Sequence, residues 1–188
     1  MDDVKKNMKI IEEQSEKHFD WEENPLLISV RSGTSILIPS MIDIILNFCL
    51  NDKKVLTLTK LTKHERFVYD SYRRFVSMFS RIILDVPDDV YDKSFNNKKE
   101  KNGVKLDTEL TSEDMKELVV AFKKGTEEYT KKQFPDEPIE QLEIAICAIF
   151  RSWMCRRDID YRIEFKVTPE QTDRIFVSVV SMVLWVMI

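Results

Sequence analysis

Glycine scarcity is the feature that most constrains this chain, because its 188 residues contain only 3 glycines, at positions 33, 103 and 125. Average usage near 7 % would give about 13 in a chain of this length. Loops that cradle phosphate with backbone amides need clustered glycines, as in the Walker A loop, the protein-kinase loop and the G-x-G-x-x-G dinucleotide loop. The three glycines are far apart, so the sequence excludes all three loop types within the chain.

The composition is that of a globular domain, with 43 % apolar and 33 % charged residues. The net charge of −4 argues against a general nucleic-acid binder. The cysteines at 49, 147 and 155 are odd in number and widely spaced, which predicts core thiols rather than disulfides or a zinc site. A reducing, cytoplasmic location is therefore expected.

The C-terminal segment 175–188 is the longest apolar stretch. As a helix its roughly 14 residues would reach about 21 Å, short of the roughly 30 Å hydrocarbon core of a bilayer, so we expect no membrane span. Valine and aromatic residues over 177–188 predict a buried strand instead. The apolar edge of that strand is a candidate for self-association or for docking on a partner chain.

Hydrophobic periodicity predicts an α+β fold that is mostly helical. The apolar run from Leu26 to Val30 predicts a strand over 25–33 that is covered on both faces. Helices are predicted over 1–20, 64–84, 111–132 and 138–153, and a short helix or turn over 41–50. A loop is predicted over 85–107, a short strand over 163–167 and a helical turn over 168–171.

Two of the predicted helices carry start signals. Thr111 and Asp114 form a capping-box pattern, and Pro138 suits the first position of a helix. The helix over 138–153 is apolar nearly all round, which predicts burial. Arg151 within it would then need an internal or a ligand partner.

The arginines are the candidate functional residues, and Arg31 is the first of them. It lies at the predicted end of a buried strand, beside Ser32 and Gly33. A guanidinium at such a place suits bidentate binding of an anion such as phosphate. The same guanidinium could instead form an ion pair with a carboxylate of the protein. Pairing within the protein is the commoner outcome for a buried charge.

The helix over 64–84 has two faces. Its apolar stripe holds Val68, Tyr72, Phe75, Phe79 and residues 82–83. The opposite face carries Arg66, Asp70, Arg73, Ser77 and Arg81. Asp70 can pair with Arg73 or Arg74 at helical spacing, and a solvated ion pair is favoured for both arginines over a role as phosphate ligands.

No catalytic residue and no metal site is predicted. His18 and His64 each stand beside a lysine and far from one another. The aspartates within 85–92 lack the order of a calcium-binding loop. Ser32 and Ser152 have no nearby histidine, so a hydrolase triad is not supported.

A series of sequence blocks resembles the pyruvate, phosphate dikinase family. One block is Val30-Arg31-Ser32-Gly33, and another contains Tyr72-Arg73-Arg74-Phe75. The blocks follow one another in the family order and together cover about residues 22–162, at 29–33, 39–43, 45–52, 66–75, 78–79, 107–114, 134–142, 150–153 and 161–162.

The resemblance implies a fold and a reaction. Family members transfer phosphoryl groups between ATP, inorganic phosphate and pyruvate with magnesium. The matching region is part of an ATP-grasp-like nucleotide-binding domain, which makes 1–54 and 163–188 a partial α/β part and 55–162 a helical subdomain.

The same resemblance implies nucleotide- or phosphate-binding residues. These are Arg31, Ser32 and Gly33, with Arg73 and Arg74 as weaker candidates. ATP with magnesium is the implied cofactor.

The chain also departs from the family pattern. Family glycines are replaced at Ser40, Cys49, Arg174 and Trp185, which indicates an eroded site because glycine permits close backbone approach to a ligand. The family's glycine-rich segment with its ATP-site lysine has no match. No part of these 188 residues resembles the family's phosphohistidine or pyruvate-binding domain, and neither histidine lies in a phosphocarrier motif.

Two functions follow as hypotheses. The first is a partial ATP-binding domain of a dikinase-like phosphotransferase, which is not catalytically complete alone. The alternative is a non-enzymatic interaction or regulatory module that keeps the helical subdomain of a decayed dikinase. Whether the chain is an enzyme stays open at this point, and no nucleic-acid or membrane partner is expected.

Overall fold

The computed structural model describes residues 2–19, 21, 23–33, 44–48, 50–152, 156–166 and 176–182. Within them the fold is α+β and mostly helical, which confirms the predicted class. The elements, in chain order, are α1 (Asp2–Ser15), β1 (Leu27–Gly33), β2 (Ile44–Phe48), α2 (Asp52–Thr62), α3 (Glu65–Ile83), α4 (Asp89–Asn102), α5 (Ser112–Thr130), α6 (Pro138–Ser152), α7 (Arg156–Glu164) and β3 (Phe176–Met182).

In the described part of the chain, β1 is the central strand of an antiparallel sheet with the order β2-β1-β3. Leu27 pairs with Met182 and Gly33 with Phe176, so β3 accompanies β1 along its whole length. Leu27 and Ile28 point to opposite faces and both are buried, so the sheet is covered on both sides. The strand predicted over 25–33 is confirmed, and so is the C-terminal strand as far as β3 extends.

β2 lies where the sequence predicts a short helix or turn over 41–50, and that prediction is wrong for 44–48. Short apolar runs fit either a helix or a strand by period alone, and tertiary pairing decides between them. Here Ile45 and Phe48 pair with residues of β1 and are fully buried. A register shift between the two strands accompanies a left-handed backbone at Asn47, with φ of 58°.

α3 is the central helix of the structure and contacts α2, α5, α6 and β2. Its predicted apolar stripe is buried, and Tyr72, Phe75 and Phe79 are fully so. Phe75 and Phe79 meet Phe48 of β2 and Phe134 of the α5–α6 connection at ring-centroid distances of 5.4 to 6.2 Å. We call these four phenylalanines the aromatic cluster; edge-on packing of this kind stabilises the core beyond the area it buries.

α4 replaces the loop predicted over 85–107, so that prediction is wrong for most of its length. The segment is too polar to show a helical stripe, and it folds because a few contacts dock it on its neighbours. Tyr91 is fully buried against Phe122 and shares a hydrogen bond with Thr126 of α5. Gly103 ends the helix in the left-handed conformation, with φ of 67°, which glycine adopts without strain.

α5 and α6 begin where their start signals predict. The Thr111 side chain accepts the Asp114 backbone N–H, and the Asp114 carboxylate accepts the Thr111 N–H in return. α6 begins at Pro138. Its predicted all-round burial is wrong, because Cys147 and Arg151 are exposed and Phe150 keeps 46 % of its surface accessible.

Two further predictions fail near the C-terminus. Ile163 and Glu164 are the last residues of α7, so the short strand predicted over 163–167 is wrong as far as it is described. Cys147 is not the core thiol that its apolar surroundings predict. The predicted turn at 168–171, the predicted core thiol Cys155 and the substituted positions 40, 49, 174 and 185 lie outside the described residues.

A charged cluster joins α2, α5 and the α5–α6 connection. Lys123 Nζ lies 3.1 Å from Asp52 Oδ2 and 2.7 Å from Asp136 Oδ1. Tyr72 donates its hydroxyl to Asp52 Oδ1 at 3.0 Å, and burial raises the pKa of this phenol far above its usual range. We refer to Lys123, Asp52 and Asp136 as the Lys123 clasp.

The capping box of α5 generates the first prediction. Hydrogen bonds from the Thr111 side chain and backbone hold the pKa of Asp114 well below its usual range. A lowered folded-state pKa stabilises the fold above the unfolded pKa, and that stabilisation is lost as the pH falls. We therefore expect Asp114→Asn to lower the free energy of unfolding by about 1 kcal/mol at pH 7.

Urea denaturation between pH 7 and pH 2 measures this effect. The difference between the two proteins should shrink below about pH 4, where carboxyl groups of the unfolded chain become protonated. Glu128→Gln, an exposed change on the same helix, serves as the control and should follow the unsubstituted chain. A difference that stayed constant down to pH 2 would contradict the role of the Asp114 charge.

Candidate functional site

The predicted phosphate-binding residues 31–33 form the end of the central strand β1. The backbone of Arg31 lies between Ile44 of β2 and Ser178 of β3 in the strand register. The side chains of residues 31–33 lie outside the described part, so the structure places their backbone alone. The prediction that they contact phosphate stays a prediction.

A groove of about 790 Å³ runs beside the polar face of α3. Its walls come from α3, β2, α4 and α5. The residues that line it are Leu46, Asn47, Arg66, Phe67, Asp70, Ser71, Arg73, Arg74, Ser77, Met78, Arg81, Tyr91, Asp92, Phe95 and Phe122. We call it the α3 groove.

The α3 groove and the end of β1 are neighbours along the sheet. Arg31 is opposite Ile44, and the groove residues Leu46 and Asn47 follow two and three positions later on the same strand. At about 3.3 Å per residue, the two places are roughly 7 to 10 Å apart along β2. The fold therefore places the backbone of residue 31 near the part of the groove that β2 lines.

Four arginines project from α3 into the groove at positions 66, 73, 74 and 81. A spacing of seven residues is close to two helical turns, so arginines at this spacing fall on one face of the helix. A phosphate oxyanion is recognised by guanidinium groups in this kind of setting. What each arginine already contacts decides whether it is available for a ligand.

Arg73 is held by the protein. Its Nε and Nη2 donate to Asp70 Oδ1 at 3.0 and 2.7 Å, and its guanidinium lies over the Phe95 ring, 4.7 Å from the centroid. Its side chain is 12 % exposed and that of Asp70 is 14 % exposed. The solvated-face interpretation is therefore wrong for Arg73, which is a packed structural arginine.

Arg74 differs from its neighbour in exposure. Its Nη2 lies 2.8 Å from Asp70 Oδ2, and its side chain is 62 % exposed. The predicted pairing of Asp70 with these two arginines is confirmed, since one carboxylate binds both guanidinium groups. The solvated-face interpretation holds for Arg74, which faces open groove.

Arg66 and Arg81 stand at the two ends of the groove. Arg66 donates from Nε and Nη2 to the backbone carbonyls of Leu110 and Asp107 at 2.6 and 2.7 Å. Arg81 Nη2 bonds Asp92 at 3.3 Å, and its Nε lies 3.0 Å from Asp88, an ion-pair distance without hydrogen-bond alignment. Arg66 is thus bound by uncharged carbonyls, and Arg81 by carboxylates.

Sequence reasoning missed this groove although it named most of α3. It assigned the polar face of the helix to solvent, because it treated residues 85–107 as a loop and so left α4 out. Phe95 of α4 lies against the Arg73 guanidinium, and Tyr91 of α4 lines the same groove. Their four-residue spacing, Tyr91 to Phe95, is the one apolar signal that could have indicated α4.

The described side chains do not cluster as metal ligands do. Among residues 2–19, 21, 23–33, 44–48, 50–152, 156–166 and 176–182 no group of three or more His, Cys, Asp or Glu side chains could hold a metal ion. The carboxylates near the groove are engaged by arginines. The groove is therefore lined by arginines whose carboxylate partners lie beside them.

A membrane role finds no support in the helices. In the described ranges, none of the helices combines the length and apolar character needed to cross a bilayer.

The contrast between Arg73 and Arg74 can be measured as stability. Arg73→Ala removes a mostly buried ion pair and a ring contact, so we expect a loss of about 2 kcal/mol in the free energy of unfolding. Arg74→Ala removes an exposed pair and should cost less than about 1 kcal/mol. Urea denaturation at pH 7 gives both values, and equal losses would contradict the structural assignment of Arg73.

Comparison with known proteins shows which family the sequence belongs to. No protein-family model matches the chain. Pyruvate, phosphate dikinase of Entamoeba histolytica is 62 % identical over 183 residues, which are 97 % of this chain and 21 % of that protein. The proteins of the same name from Clostridium symbiosum and Giardia intestinalis are 46 % and 43 % identical, over 81 % and 86 % of this chain.

These relatives are much longer than the chain, which covers 18 % of each of the latter two. The chain thus spans about a fifth of the length of the curated relatives it matches. The resemblance stated from individual sequence blocks extends over nearly all of its residues. By sequence, the chain belongs to the pyruvate, phosphate dikinases, of which it matches one part.

Proposed function

We propose that the chain forms part of the nucleotide-binding region of a pyruvate, phosphate dikinase-like phosphotransferase. Arg31, Ser32 and Gly33 contact the phosphates of ATP, and Arg73 and Arg74 are the weaker candidates. The observation that carries the proposal is the match to dikinases over 97 % of the chain, at 62 % identity. In this proposal the fold is ATP-grasp-like, with 1–54 and 163–188 flanking a helical subdomain at 55–162.

The family reaction converts ATP, phosphate and pyruvate into AMP, diphosphate and phosphoenolpyruvate. Phosphoryl transfer depends on positioning and on stabilising the charge of the phosphate oxygens. This chain would contribute one wall of such a site and would not complete the reaction alone. ATP supplies the phosphoryl group, and the residues of this chain bind and orient it.

The position of Arg31 supports this role physically. A strand at the centre of a sheet is a rigid support, so the backbone that carries the Arg31 guanidinium is held in place. Because the backbone is already ordered, less conformational entropy is lost when the side chain binds a phosphate. The arginine-lined α3 groove begins roughly 7 to 10 Å away along β2, at Leu46 and Asn47.

Magnesium is implied as the companion of ATP by the family resemblance. No step is assigned to a metal bound by these side chains. In this proposal magnesium arrives with ATP, and residues 31–33 contact the phosphates.

Exposed apolar side chains support an alternative function. On α6 and at the end of α7, Phe150 is 46 %, Ile163 71 % and Phe165 59 % exposed. Exposed apolar side chains are a feature of interaction surfaces. A non-enzymatic interaction module would use such side chains to dock on a partner and would not bind ATP.

Calorimetric titration with magnesium ATP separates the two functions. We expect the unsubstituted chain to bind with a Kd of about 1 mM or tighter. Arg31→Ala should abolish the heat, because the bidentate guanidinium contact is lost. Arg156→Ala is the matched control, since Arg156 is 94 % exposed on α7 and pairs with Asp160; it should bind as the unsubstituted chain does.

Thermal unfolding of each variant completes the experiment. A structural role for Arg31 would lower the melting temperature of Arg31→Ala. Should that happen, Arg31→Lys keeps the charge but loses the bidentate geometry, and binding should still fall. The absence of heat from the unsubstituted chain would overturn nucleotide binding and leave the interaction module.

A further inference from the structure

Helix α4 is weak as an isolated helix. Its sequence contains Asp92 and the adjacent pair Asn96 and Asn97, all of low helix propensity. Asp88 precedes the first turn and makes no side-chain capping bond to the described residues. Of the residues of α4, all of which the structure describes, Tyr91 alone is buried. The helix therefore forms because of what it packs against.

Tyr91 attaches α4 to α5. Its ring centroid lies 4.9 Å from that of Phe122, and its hydroxyl lies 2.8 Å from Thr126 Oγ1. Thr126 donates its own hydroxyl proton to the Phe122 carbonyl at 2.9 Å. Its oxygen therefore accepts from both Tyr91 and Ser80, the latter 2.9 Å away. The three hydroxyls are buried, where a hydrogen bond is stronger than it is in water.

Gly125 of α5 marks a close approach between the two helices. A Cβ atom at this position would lie 2.8 Å from Cγ1 of Val90 on α4, well inside van der Waals contact. Valine is branched at Cβ and has little rotamer freedom in a helix, so it cannot turn away. The two helices pack this tightly because residue 125 has no side chain.

Beyond these two places α4 is held mainly by charged side chains. Arg81 of α3 pairs with Asp88 and Asp92, which are 72 % and 62 % exposed, and pairs with such exposed partners contribute little to stability. Lys98 is better buried, at 12 % exposure, and lies 3.5 Å from Asp114 of α5. The helix is thus attached at a few separate points and not along a continuous apolar stripe.

The chain changes direction on each side of α4. Asp85 before the helix and Gly103 after it have left-handed backbone conformations, with φ of 53° and 67°. Hinges are formed by a few residues of this kind, at the ends of an element, that absorb the change in backbone angles.

We propose that α4 is a detachable strap, which opens as one unit about Asp85 and Gly103 while α3 and α5 stay folded. Local opening of this kind occurs where few apolar contacts hold an element. The open state exposes Phe122 of α5. It also removes Phe95 from the Arg73 guanidinium, so the opening changes one wall of the α3 groove. The opening requires no nucleotide and is independent of the proposed function.

Amide hydrogen exchange of the full chain tests the proposal. We expect the amides of 89–102 to share one opening free energy, lower than that of the buried amides of α3 and α5, and a shallower dependence on urea. Tyr91→Phe should speed their exchange about fivefold, because one hydrogen bond is lost. The control Tyr129→Phe makes the same change at a ring of α5 that is 52 % exposed, and should alter the rates by less than about twofold.

Val55→Ala separates local from global opening. Val55 is fully buried on α2, which packs on α3, so its truncation should speed exchange in the core of α3 by about tenfold or more. The amides of α4 should keep their rates, because the contacts of Val55 persist when α4 alone opens. Equal acceleration of both helices would show that α4 opens only with the whole fold and would overturn the proposal. If Val55→Ala does not fold, equal urea slopes for α3 and α4 in the unsubstituted chain would overturn it.

Gly125→Ala gives an independent readout of the seat on α5. The added methyl group collides with Val90 when α4 is attached, whereas alanine strengthens α5 itself as a helix. We therefore expect about tenfold faster exchange of the α4 amides, from overpacking. The effect should vanish when Gly125→Ala is made together with Val90→Ala. No acceleration by Gly125→Ala, or acceleration that persists in the double variant, would overturn the proposal.

Discussion

Burial of one face of α3 is the constraint on which the rest of the structure depends. The aromatic cluster brings Phe75 and Phe79 of this helix against Phe48 of β2 and Phe134 of the α5–α6 connection. The same packing ties the helices to the sheet, because Phe48 is also paired with β1. Fixing the apolar face of α3 leaves its arginine face directed at β2, α4 and α5, and the groove follows from that.

Much of this fold could be predicted from the sequence, and the successes share a cause. Strand β1, helix α3 and the starts of α5 and α6 carry local signals, namely an apolar run, a sharp stripe, a capping box and a first-turn proline. β2 and α4 carry no local signal that decides between helix, strand and loop. β2 is a strand because β1 lies beside it, and α4 is a helix because Tyr91 docks on α5. Contacts distant in sequence determined both.

The candidate site shows the same division. The pairing of Asp70 with Arg73 and Arg74 follows from helical spacing, so the sequence suffices to predict it. The burial of Arg73 depends on Phe95, and therefore on a helix that the polar composition of 89–102 conceals. Two neighbouring arginines of one motif thus have different environments, which residue identity alone does not reveal.

The Lys123 clasp has a consequence for motion. One ammonium group holds the first turn of α2 through Asp52 and the connection before α6 through Asp136, while Tyr72 of α3 binds the same Asp52. Local opening of any of these segments would leave a charged partner without its contact. Amide hydrogen exchange near residues 52, 123 and 136 should therefore report one cooperative opening unit that includes both flanks of α3.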